Sequence, residues 1–157
     1  MSHLKKITGI IVATACISLM ISEVAPAQLG EKVEAIDKLA KKLGSARQAV
    51  RTQVNFTVHE VVNPGLTLRE YTDKEGVIFA VAWDGISQPD LAPILGSYFE
   101  DFSQNISQSP KTFGRKAQSE VQGEKVTVVK WGHMRSAHGK AFVAAKLPEG
   151  VKAEDIQ

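Results

Sequence analysis

The chain predicts an α+β domain: an antiparallel sheet of about five strands, in the order α-β-β-β-α-β-β, with helices packed on one face. Three patterns predict it. A period of two runs from Val54 to Trp83 and is broken by two turn signals. A broad apolar stripe of helical period follows at residues 90–106. Strand patterning then returns at residues 124–147.

The N-terminus reads as an export signal. Lys5 and Lys6 precede a mostly apolar run from Ile7 to Ile21, and Ala25-Pro26-Ala27 sets small residues at a cleavage site between Ala27 and Gln28. The run of 15 residues is short of the roughly 20 that a spanning helix needs, so no stable membrane span is expected after cleavage. Ala13-Thr14-Ala15-Cys16 loosely resembles a lipobox, but apolar residues continue past it and lipidation is not expected. Removing residues 1–27 from the 157 leaves 130, the size of one domain at 28–157. The single cysteine, Cys16, leaves with the signal, so packing without disulfides must hold the domain. Lys5, Lys6 and Glu23 leave too, which takes the net charge from +2 to +1. That balance gives no electrostatic reason to expect nucleic acid as a partner.

The first element is a helix at residues 31–43, where Val33, Ile36, Ala40 and Leu43 form one stripe. Lys41 and Lys42 lie in its last turn and Gly44 offers a C-cap. Residues 45–53 read as a polar connector. A β-meander is expected at residues 54–83. Val54, Phe56, Val58, Glu60 and Val62 share one face of its first strand, with Asn63-Pro64-Gly65 as the turn. Leu66 to Thr72 is the second strand, and Asp73-Lys74-Glu75-Gly76 the next turn. Val77 to Trp83 is apolar on both faces and is expected at the centre of the fold. Asp90 is a good N-cap for the helix at 90–106, and Pro93 falls in its first turn. Gly96 inside that helix costs about 1 kcal/mol relative to Ala, which suggests close approach. Residues 107–123 read as a surface loop. The last strands, 124–131 and 140–147, form a C-terminal hairpin joined by a connection at 132–139.

Phe79-Ala80-Val81-Ala82-Trp83-Asp84-Gly85, followed by Pro89-Asp90-Leu91 and Leu95-Gly96-Ser97-Tyr98-Phe99, resembles a family of small exported bacterial proteins, domain-of-unknown-function family 2844. Val58-His59-Glu60, Leu68-Arg69-Glu70-Tyr71, Gly132-His133-Met134-Arg135 and Leu147-Pro148-Glu149-Gly150-Val151 fit it as well. The chain departs from the family pattern at Gly85-Ile86-Ser87-Gln88 and at Ser136-Ala137. The resemblance implies a Gram-negative, exported single domain. It supplies no activity, cofactor or catalytic residue.

Site chemistry is sparse. His59, His133 and His138 remain after cleavage, and zinc needs at least three protein ligands. Glu60 or Asp84 would have to join them, yet alternation sets His59 and Glu60 on opposite faces of their strand. No metal site and no cofactor are expected. Glu60 and Glu70 are a candidate carboxylate pair across the Asn63 to Leu66 turn. Ser136 and His138 are a close Ser/His pair, but neighbours at i, i+2 in a loop are poorly placed for a dyad. No Gly-x-Ser-x-Gly elbow and no Walker or dinucleotide glycine pattern occurs.

Trp83 and Trp131 each end a strand beside a glycine-containing loop. If the loops meet at one end of the sheet, Trp83, Asp84, Trp131, His133, Arg135 and His138 form a binding surface. The expectation is an exported protein, periplasmic or else extracellular, that acts as a non-catalytic binding or interaction module of the cell envelope. Its partner would be an envelope protein or a small ligand. The alternative is a small hydrolase or metal-dependent enzyme that uses the connection from Trp131 to Gly139. A third possibility is self-association through an uncovered edge strand.

Overall fold

The computed structural model describes residues 28–32, 47–108 and 118–157. The expected signal peptide at 1–27 and residues 33–43 of the expected first helix lie outside the described residues.

One antiparallel sheet of seven strands organises the described chain, in the order β1-β2-β3-β4-β7-β6-β5. The strands are β1 (Arg47–Thr52), β2 (Thr57–Asn63), β3 (Leu66–Thr72), β4 (Ile78–Gly85), β5 (Gln118–Gln122), β6 (Thr127–His133) and β7 (Ser136–Phe142). Between β4 and β5 runs one broken helical segment: α1 (Leu91–Leu95), a 3-10 turn (Gly96–Tyr98) and α2 (Phe99–Gln108). The expectation of about five strands with helices on one face is therefore corrected. The sheet has seven strands, and the helical content of the described residues is small.

The two unexpected strands are the two edges of the sheet. β1 occupies the expected connector and β5 the end of the expected loop. An edge strand pairs its backbone on one side and has little to bury, so hydrophobic alternation is weak there. β5, with sequence QSEVQ, buries Val121 alone. The hairpin connection also shrinks. Strand pairing runs to His133↔Ser136, which leaves a two-residue turn of Met134 and Arg135 where a connection at 132–139 is expected.

Both faces of the central strands are covered, by different parts of the chain. On one face Val81, Trp83, Val128 and Ala141 pack with Leu91, Ile94, Leu95 and Phe102 of the helical segment. On the other, Phe56, Tyr71, Ala80, Ala82 and Phe142 pack with Ile156, and with Leu147, Val151 and Ala153 at their margin. These last four belong to the C-terminal tail. A register shift between Tyr71 and Thr72 leaves Phe79 as the extra residue of β4, so Phe79 and Ala80 join the same cluster although adjacent in sequence. Asp90 caps α1 by accepting from the Ala92 amide at 3.0 Å. Gly96 ends that helix at φ 53°, a backbone position that disfavours any side chain. The expected single helix breaks there. Among the described residues no helix is long and apolar enough to cross a membrane.

Candidate functional site

Register builds the site. His138 of β7 is the Cα partner of Asp84 on β4 and of Trp131 on β6. Residues facing each other across an antiparallel pair share a face, so Asp84, His138 and Trp131 form a row across three strands on the tail side. Ser136, two residues before His138 on β7, shares that face.

Side-chain contacts link the row. His138 Nδ1 lies 3.0 Å from Asp84 Oδ2, and His138 Nε2 lies 2.8 Å from Ser136 Oγ. A carboxylate only accepts, so Nδ1 carries the hydrogen toward Asp84, and in the neutral ring Nε2 accepts from the serine hydroxyl. The Trp131 ring stacks on the imidazole, with centroids 6.0 Å apart and planes 13° apart. Trp131 remains 36% exposed while it stacks. His138 thus has its tautomer set by Asp84 and its plane bounded by Trp131.

The C-terminal tail walls one side. Lys140, next along the same face of β7, donates through Nζ to the main-chain oxygens of Ala153 at 2.6 Å and Ile156 at 3.1 Å. A cleft of about 520 Å³ lies between Trp131, His138 and Asp84 on one side and Arg69, Glu154 and Ile156 on the other. A second hollow beyond the tail is bordered by Arg51, Glu60, Arg69 and Tyr71. Burial raises the Tyr71 phenol above its ordinary range, although a hydrogen bond to Gln157 opposes the shift. Arg69 donates to Glu60 at 3.0 Å.

Of the six expected site residues, the structure brings Asp84, Trp131 and His138 into contact. Trp83 sits at the same level of the sheet but on the helical side, 2% exposed. Its indole N–H donates to Gln88 Oε1 at 2.7 Å, and Gln88 in turn reaches the His138 carbonyl at 3.3 Å. It supports the strand from behind. His133 and Arg135 are at the hairpin tip. The His133 ring lies 3.1 Å from the Met134 carbonyl through Nδ1, and Arg135 adopts φ 64°.

Ser136 is the residue that sequence reasoning set aside. The i, i+2 spacing is unfavourable in a loop, but in a strand it sets both side chains on one face, and the tight turn extends β7 back to Ser136. The other candidate groupings come apart. Glu60 pairs in register with Arg69 and Glu70 with His59, so the two glutamates lie on opposite faces. His59 is buried, with Nε2 3.1 Å from the Thr72 hydroxyl, on the opposite side of the sheet from His138. Among the described residues no three His, Cys, Asp or Glu side chains are grouped to hold a metal ion.

A family model described as a protein of unknown function (DUF2844) matches residues 25–156. The chain belongs to this family. The DUF2844 match spans every strand described above and the cleft residues up to Ile156, and it brings no assigned activity with it. No curated protein and no solved structure matches the chain.

Proposed function

We propose that this DUF2844 protein is exported and serves as a binding module of the cell envelope, holding a small ligand or an envelope protein in the cleft between Trp131 and the C-terminal tail. The carrying observation is the Trp131 indole, exposed to solvent yet stacked on a histidine whose orientation Asp84 fixes. A rigid, partly exposed tryptophan loses little conformational entropy when a partner covers it, and such residues are enriched where binding energy concentrates. The basic start, apolar run and Ala25-Pro26-Ala27 site support export.

The test is in-cell crosslinking of the tagged full chain, with mass spectrometry of both the captured partner and the processed N-terminus. We expect a start at Gln28 and a reproducible partner whose yield falls about tenfold or more in Trp131→Ala, the loss that a hot-spot aromatic causes. An unprocessed cytoplasmic protein would overturn export. A partner captured equally by Trp131→Ala would overturn the cleft.

A further inference from the structure

Beyond ligand binding, the edge of the cleft carries the order of groups that activates a hydroxyl: carboxylate, imidazole, serine. Asp84 and His138 line the cleft, and Ser136 borders the neighbouring hollow at the β6–β7 turn, with Trp131 common to both. We propose that Ser136 is a nucleophile and that the protein hydrolyses carboxylic esters through an acyl-Ser136 intermediate.

Each group is held for its role. Asp84 Oδ2 accepts from His138 Nδ1 at 3.0 Å, and His138 Nε2 faces Ser136 Oγ at 2.8 Å, within the reach that a base needs of its nucleophile. Asp84 and His138 are register partners on β4 and β7, and Ser136 pairs with His133 at the start of β7, so this chain of contacts stands on paired strands. A purely structural role would be better served by burial, yet His138 and Asp84 keep 28% and 52% of their side-chain surface accessible. Arg135, directly before Ser136, is exposed and has no carboxylate partner among the described residues. Because it borders the same hollow as Ser136, it is the donor we assign to the developing oxyanion. Trp131 supplies an apolar platform beside the imidazole, which fits an ester with an apolar acyl chain.

The step balances with water as the co-reactant. The Ser136 hydroxyl gives its proton to His138 Nε2 while Oγ attacks the ester carbonyl carbon. The tetrahedral adduct collapses, the C–O bond to the alcohol breaks, and the alcohol leaves with the proton from Nε2. Water then attacks the acyl carbon with its proton passing to the same nitrogen. The bond from that carbon to Ser136 Oγ breaks, and Oγ takes the proton back from Nε2, which releases the carboxylic acid and restores the Ser136 hydroxyl. Asp84 holds the ring throughout and stabilises the cationic imidazole that forms.

A fluorophosphonate probe tests this on the purified full chain, with the modified residue mapped by mass spectrometry and p-nitrophenyl ester hydrolysis measured in parallel. Labelling of wild-type protein at Ser136 is expected, with loss of the label in Ser136→Ala and retention in Ser119→Ala, an exposed serine on β5. Ester hydrolysis should fall about 10²–10⁴-fold in His138→Ala, the usual contribution of a general base. Wild-type protein that takes no label, or takes it elsewhere than Ser136, overturns the proposal without reference to whether a variant folds. Neither result bears on the crosslinked partner, so this inference and the binding function fail separately.

Discussion

At the scale of single residues, Asp101 shows how one carboxylate can set the geometry of distant segments. From the first turn of α2 it accepts from the amides of Glu124, Lys125 and Val126 at 3.2, 2.9 and 3.1 Å, which fixes the turn between β5 and β6. Its partial burial would raise the carboxyl, but the amides of Lys125, Val126 and Glu124 outweigh this and hold it below the ordinary carboxylate range. A lowered folded value stabilises the protein above the unfolded carboxylate range, about pH 4, and that stability is lost as pH falls through the folded value. Asp101→Asn should therefore cost about 1 kcal/mol at neutral pH and show a shallower loss in acid, read by urea denaturation between pH 7 and pH 3. Nothing in the sequence around Asp101 signals this, because its partners are amides more than 20 residues away. His138 and Asp84 were legible as candidates by residue type. The contact of His138 with Ser136 was not, because it depends on a strand boundary.

At the scale of elements, the hairpin of β6 and β7 decides whether the site exists. Its two-residue turn sets Arg135 in the left-handed region at φ 64°, where a side chain costs roughly 1 kcal/mol. Arg135→Gly should relieve that strain and leave the melting temperature equal or a few degrees higher, while lowering ester hydrolysis through loss of the oxyanion donor. Calorimetry and the ester assay separate the two effects. The central elements were readable because burial on both faces leaves a dense apolar signature, as in Ile78 to Trp83. The edges were not. Arg47 to Thr52 and Gln118 to Gln122 owe their strand state to pairing with β2 and β6 rather than to their own side chains. A turn set by an arginine at positive φ likewise gives no glycine or asparagine to mark it.

At the scale of the whole molecule, the C-terminal tail acts as a second layer. Ile156 is buried against Tyr71 and Phe142, and the Tyr71 hydroxyl donates to the Gln157 main-chain oxygen at 2.6 Å while accepting from its amide at 2.9 Å. The phenol, raised by burial, contributes stability that is fully present below about pH 10 and is lost as pH rises through its folded value. Tyr71→Phe should cost about 1–2 kcal/mol at pH 7 and abolish that part of the alkaline loss, as denaturant midpoints from pH 7 to pH 11 would show. The tail was readable only as a closing segment, since its short apolar positions carry no period. The sheet order has a further consequence, for kinetics. β1 to β4 pair with their neighbours in sequence, as do β5 to β7, and the two sets join at β4 and β7 alone. Each half can zip through short-range contacts, but the seam closes a loop that spans the helical segment and β5 and β6. The folding barrier should therefore lie in pairing Ala80–Gly85 with Ala137–Phe142, and Asp84 meets His138 only in that late step.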